Sequence, residues 1–572
     1  MKRINNRLFI FSTIIILAGL RIMPLTAQTK NNLSRSHNEN INIYGTFNPV
    51  VGEAYRLNFK PQDFVPHIKQ STFDIKPAVS ALPTNITLKP VKPVTVRIAK
   101  RTKLYENYFV AGLGSRISPY LEYFHSSGER NNYKLDFHLF HFSSFKNING
   151  YLPSPFTSTA ASLGVEKYFR YHSLNINGSY GINTNRYYGF KPQDYQGTVN
   201  EDHPGLKQAY NSAQLNITLK SRYKNHDKLD HSIKVGSYYY FDKYGTSEVN
   251  ANICFDAHKA FSVTDLLDYQ QLGTEGNFSF FRNSDSLNNG TNDIYARFMP
   301  YFNFKYDFVS FKTGLDFAVQ NPDSLTFHFY PYLHASLNLV PETVSIFAGI
   351  DGGLEKNSYK TLTEKNPFLT SIPGKFLWTN NKINLFAGIK GSVAGRFGFV
   401  LKYSFTKFDN RAFFDYNSLY IPVPVYKNDF IVDYSSGNSN KFEAGLNYHL
   451  DETIKVWING FFNSFNLDNG DIAYFEPKIR VNSGAEIFIN KKIKTYLEFW
   501  YVGERQGAVK NPGTISVTLD PYLDINTGIK YAITENLSVF LDITNLLNKK
   551  YMLFTDYPVG GIQVTGGVIY RF

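Results

Sequence analysis

The sequence has 572 residues, with 60 Lys and Arg against 47 Asp and Glu, one cysteine, and 16% Phe, Trp and Tyr. A lone Cys254 excludes an internal disulfide framework and reads as an inert packing residue. The aromatic share is about twice that of an average soluble chain while mean hydropathy is only -0.29, a combination that argues against an ordinary soluble domain.

The chain begins with Lys2, Arg3 and Arg7, continues through an apolar run over 8–20, and reaches small residues at Thr26 and Ala27. This is the layout of a secretory signal, with cleavage expected after Ala27. Beyond it no run of about twenty apolar residues remains, so a helical membrane span is not expected. Removing Lys2, Arg3, Arg7 and Arg21 lowers the formal charge from +13 to +9. An exported chain of that charge meets anionic lipids or solutes of the envelope rather than nucleic acid.

Residues 28–106 form a second region, with Pro49, Pro61, Pro66, Pro77, Pro83, Pro90 and Pro93. Prolines at that density favour extended chain over a packed sheet. Across 75–105 there are seven Lys or Arg and no acid. A solvated basic linker is one reading. The sharper one is an extended periplasmic arm that holds a partner, such as a periplasmic or surface lipoprotein, through Lys89, Lys92, Arg97, Lys100, Arg101 and Lys103, or that folds into a lumen.

From 107 to 572, stretches of about ten to fifteen residues alternate with period two and are separated by turn residues. In the stretch starting at Ile454, one face carries Ile454, Val456, Ile458, Gly460 and Phe462, and the other Lys455, Asn459, Phe461 and Asn463. The first face suits lipid and the second a polar interior, the pattern of an all-β, transmembrane antiparallel barrel of about 22 strands. Tight turns are expected at 534–536, 490–492, 450–452, 393–395, 341–342 and 306–307. Longer connections fall at 549–558, 505–517, 466–472, 408–438, 357–379 and 321–325. Short and long alternate, as periplasmic turns and outside loops do in such barrels.

The stretch Tyr187-Tyr188-Gly189-Phe190-Lys191-Pro192-Gln193-Asp194-Tyr195 clusters aromatics in an outside loop, making Tyr187, Tyr188, Phe190 and Tyr195 the first candidates for ligand contact, with a self-packed loop as the alternative. Tyr238-Tyr239-Tyr240-Phe241 and Phe461-Phe462 read as interface girdles. His138 and His141 fall on opposite strand faces, which disfavours a shared metal. The group His226, Asp227, Asp230 and His231 reads as a solvated turn. No phosphate loop or nucleophile elbow is present, and no enzyme activity, cofactor or metal is expected.

The tail carries the most specific pattern: Pro521-Tyr522-Leu523-Asp524-Ile525-Asn526-Thr527-Gly528, then Thr534-Glu535-Asn536-Leu537-Ser538-Val539, then Asn545-Leu546-Leu547-Asn548-Lys549-Lys550-Tyr551, and a last strand ending Tyr570-Arg571-Phe572. It resembles the C-terminal hairpins of TonB-dependent outer-membrane receptors. That resemblance implies an outer-membrane barrel and makes Tyr570 and Phe572 the signal read by the outer-membrane insertion machinery. Those receptors place a globular plug before the barrel, whereas only a proline-rich segment precedes it here. The resulting expectation is passage or uptake of a solute across the outer membrane. The alternative is a structural or assembly barrel that anchors envelope partners without transport.

Overall fold

The computed structural model describes residues 105–572 apart from 129–131, 195–199, 224–227, 263, 265–266, 287–289, 322–323, 342, 372–374, 418–427, 451–452 and 509–515. The expected signal at 1–27, the six basic arm positions, Tyr195, His226 and Asp227 therefore lie outside the described residues. Within them the alternating stretches form one 22-stranded antiparallel sheet running from Asn107–Gly114 to Gln563–Arg571. The sheet closes on itself, because the first strand pairs with the last from Tyr108↔Arg571 to Gly114↔Thr565. Asn107 N donates to Phe572 O at 2.9 Å, and Phe572 N returns a bond to Asn107 O at 3.2 Å. Closure satisfies backbone groups that lipid cannot, and only helices and closed barrels do so.

The period-two alternation becomes two surfaces. Ile458 and Phe462, Leu315 and Phe317, and Val568, Tyr570 and Phe572 point outward and are exposed, an apolar band of the kind lipid covers. The opposite face carries ion pairs. Arg297 Nε donates to Asp316 Oδ2 at 2.7 Å, Lys312 Nζ reaches Glu275 at 2.8 Å, and His334 Nε2 lies 2.9 Å from Asp351 Oδ2. Lys441 and Glu443 continue this inner belt at 2.8 Å. His138 and His141 diverge as their spacing requires. His138 meets Glu122 at 3.0 Å, while His141 meets Thr159 at 2.8 Å.

The two rims differ. One has short turns, including 307–308, 394–396 and 533–536; the other has long connections, including 187–206, 357–377, 503–521 and 545–562. The expected connection over 408–438 is corrected: Phe397–Tyr416 and Phe430–Leu450 extend through it, leaving only 417–429 outside the sheet. The alternation failed there because the pairing slips between Phe408 and Arg411, where Asn410 takes φ +52°. The connection expected at 466–472 is also displaced, since the strands end at Leu467 and resume at Ile479.

Such irregularities line up across neighbouring strands. Gly353 faces Asn381, Asn381 faces Phe408, and Phe408 faces Gly437, with register shifts beside the first three. Bulges bend strands and sharpen their twist, so a row of them redirects the upper wall.

Candidate functional site

The long-loop rim holds a core of its own. Leu152, Tyr187, Leu206, Phe368, Phe475, Ala508, Leu519 and Tyr557, from six different connections, are buried together with Tyr416 and Phe430 at two strand tops. These connections rise from opposite sides of the ring, and such segments can touch only over its axis. The loops therefore roof the mouth.

Aromatic packing and buried hydrogen bonds hold the roof. The rings of Phe368 and Tyr557 stack at 3.7 Å. Tyr187 Oη donates to Leu369 O at 2.9 Å, Tyr188 Oη to Pro558 O at 2.8 Å, and Tyr210 Oη to Pro367 O at 3.0 Å. Asn428 bridges the carbonyl of Gly189 and the hydroxyls of Tyr416 and Tyr557. Burial pushes the Tyr187 and Tyr557 phenols well above their usual range, so both remain neutral donors.

A second support lies under the roof. The connection 357–377 carries a short helix, α1 (Tyr359–Lys365), started by a capping box between Ser358 and Thr361. Its Tyr359 is fully buried against Tyr210 and Tyr240. The Tyr359 N–H donates to Glu248 Oε2 at 2.7 Å and its hydroxyl to Asp242 Oδ2 at 2.8 Å. Asp242 also accepts from Gln208 Nε2 at 3.1 Å, Tyr244 N at 2.8 Å and Thr246 N at 2.9 Å. A loop between Val344–Lys356 and Trp378–Val393 is thus latched to the inner face of strands Lys207–Ser221, Asp230–Asp242 and Ser247–Ala260, several strands away.

The wall below the latch is displaced too. The ladder between Thr326–Val340 and Val344–Lys356 ends at Leu333↔Ile350. Past that point Val344–Lys356 turns inward, and Lys356 Nζ pairs with Asp293. Trp378 packs on Tyr295 at 4.9 Å and Phe281 at 5.8 Å.

The sequence candidates fall unequally on this plan. Tyr187, Tyr188 and Phe190 come together in the roof core, Tyr187 with no exposed surface. Their loop is not alone in its aromatics: Phe368, Tyr474, Phe475, Phe554 and Tyr557 join them from other connections. Tyr238 and Tyr240 face inward under α1 rather than forming part of a girdle, whereas Tyr239 is exposed on the outer face. Tyr570 and Phe572 stack at 5.2 Å on the outer surface. Among the described residues no group of three or more His, Cys, Asp or Glu is arranged to hold a metal ion.

No family model and no curated protein matches the sequence. Solved structures do match in fold. The ferric enterobactin receptor of Pseudomonas aeruginosa, solved as a point mutant, is 11% identical with a TM-score of 0.59, over 82% of this chain and 80% of that one. The ferric-catecholate import receptor Fiu of E. coli K12 is 10% identical with a TM-score of 0.60, over 82% of each chain. The ferripyoverdine receptor of the P. aeruginosa outer membrane, bound to ferripyoverdine, is 14% identical with a TM-score of 0.61, over 82% and 72%. The barrel fold implied by the tail motifs, that of TonB-dependent receptors, is the fold of this chain.

Proposed function

We propose that the chain is an outer-membrane barrel that passes a solute through a gated mouth, with the long-loop rim outside the cell. The observation that carries this reading is the roof: a barrel near 22 strands encloses a lumen wide enough to need filling or closing, and here the loops meet over it. The solved relatives of the same fold include import receptors, which agrees with uptake as the direction of passage. Tyr187, Tyr188 and Phe190, with Tyr195 beyond them, would meet a ligand when the roof opens. Catalysis has no part in this reading.

Planar-bilayer recordings test it. The full chain is expected to be closed, and replacing 358–376 with a short Gly-Ser linker to give a large stable current. A barrel that stays closed with that linker, and again after removal of residues 28–106, would favour the alternative, an anchoring barrel that transports nothing.

The basic arm is proposed as a docking segment on the periplasmic side. Gln at Lys89, Lys92, Arg97, Lys100, Arg101 and Lys103 should leave the barrel inserted and reduce recovery of a co-purifying partner, as added salt should for the unmodified chain. Crosslinks from this segment to the barrel interior alone would make it a plug instead. Tyr570 and Phe572 are proposed to engage the insertion machinery and the surrounding lipid.

A further inference from the structure

Above Leu333↔Ile350 the barrel wall has a parting. Residues 326–332 pair fully with Val309–Gln320 on one side, from Gln320↔Thr326 to Gly314↔Tyr332. On the other side they share no ladder pair with residues 351–356. Pro331 lies in this stretch. Proline lacks the N–H that a ladder needs and belongs on strand edges. The same missing donor makes this edge a poor template for an added strand, so a peptide is not the occupant it favours.

The two sides of the parting differ in chemistry. Outside, Phe327 and Phe329 are 72% and 56% exposed, large rings on the surface that faces lipid. Inside lies a cavity of about 400 Å3 lined by Phe281, Tyr295, Leu354 and Trp378 together with Arg297 and Asp316. Tyr330 stands at the boundary. Its hydroxyl donates to Asn380 Oδ1 at 2.7 Å, and its ring lies so near Gly352 that an added Cβ would be 2.6 Å from it.

The cavity selects against a charged head group. Arg297 already pairs with Asp316 Oδ2 at 2.7 Å, and Lys356 with Asp293. Of the residues lining the cavity, two carry a buried polar atom without a partner, Trp378 at Nε1 and Asp316 at Oδ1. Trp378 is 4% exposed and Asp316 3%. One donor and one acceptor, with the charges already compensated, are the complement of hydroxyl groups. The rings beside them suit an alkyl chain.

We propose that this cavity binds an amphiphile with an acyl chain and an uncharged, hydroxylated head, which arrives sideways from the bilayer through the parting, with Tyr330 as its gate. This site is separate from the axial path closed by the roof, and its failure would leave the axial path untouched.

The test uses the full chain in nanodiscs with Trp457→Phe and Trp500→Phe, which leaves Trp378 as the sole indole of the three tryptophans. An alkyl maltoside brominated on its chain should quench Trp378 saturably, and maltose alone should neither bind nor compete. Asp316→Asn keeps its one oxygen on Arg297 and turns its NH2 toward the ligand, so the charged acceptor at Oδ1 is replaced by a neutral donor and the maltoside should weaken about tenfold. Tyr330→Phe keeps the ring over Gly352 and should speed quenching without changing its final level; this variant carries the test if Asp316→Asn disturbs folding. Absence of saturable quenching, competition by maltose alone, equal binding of a brominated fatty acid, or an unchanged rate in Tyr330→Phe would each overturn the proposal.

Discussion

The two rims of this barrel are built on opposite principles. At the short-turn rim the turns at 489–492 and 533–536 carry closing bonds from their own residues: Asn490 Oδ1 accepts from Lys492 N at 2.8 Å and Ile493 N at 2.9 Å, and Thr534 Oγ1 accepts from Leu537 N at 3.0 Å. At the long-loop rim the contacts join residues far apart in sequence, such as Tyr188 with Pro558, 370 positions away. Local closure makes a rim that forms as each hairpin forms. Distant closure makes a rim that forms only when all its parts are present, and that can be undone as a unit.

The largest expected effect tests whether the short-turn rim acts through insertion. Phe572→Lys puts a charge on the lipid face, a change costing about 2–4 kcal/mol at mid-depth and less near the interface. It should greatly reduce the heat-modifiable, membrane-inserted fraction on gels, while Arg571→Gln should not. Equal losses would mean that the face assignment at the last strand is wrong.

Asp242→Ala comes next, because it removes the acceptor shared by Gln208, Tyr359, Tyr244 and Thr246. The buried Tyr359 hydroxyl is then left without that acceptor, and about 3 kcal/mol of local stability should be lost. Hydrogen exchange should quicken over 357–377 and 187–206 and stay slow in the strands. Faster exchange throughout the barrel would break the separation between wall and roof.

Tyr557→Phe deletes one buried hydrogen bond to Asn428 O while retaining the stack on Phe368. About 1 kcal/mol is expected, visible as a modest rise in proteolytic nicking of the outer loops. The smallest effect belongs to the short-turn rim. Ala394 sits at φ +52° before Gly395 at +64°, a conformation Asn tolerates better than Ala. Ala394→Asn should therefore raise the denaturation midpoint by an amount equivalent to about 0.5–1 kcal/mol; a lowered midpoint would show that this turn depends on more than its own residues.

The same contrast explains what was legible in the sequence. Strand faces and short turns follow from period-two alternation and from single turn residues, so the barrel and its two rims could be read directly. The tail motif was legible for a physical reason as well. Asn545 and Asn548 both take φ +51°, and the Asn545 side chain accepts from Lys549 N at 3.0 Å and donates to Lys549 O at 2.7 Å. Tyr551 then stacks on Tyr522 at 3.8 Å and donates to Asp524 at 2.7 Å.

The roof was not legible, because nothing near Tyr187 in sequence points to Leu369, nor anything near Phe368 to Tyr557. The stretch around Asn410 and Gly437 looks like a loop in sequence because a bulge interrupts the alternation by which strands are recognised. The parting did leave one trace in the sequence, Pro331 inside an otherwise good strand.

The pairing of Asn107 with Phe572, 465 positions apart, sets the order of assembly. Contact order this high means that no ring exists until the last strand has been delivered, and until then every intermediate exposes two unsatisfied edges. The chain must therefore be kept from self-association for its whole length before it can be completed. Because Asn107 and Phe572 meet at the short-turn rim, linking these two residues directly and opening the barrel at another short turn would permute the order of the strands without altering the finished wall.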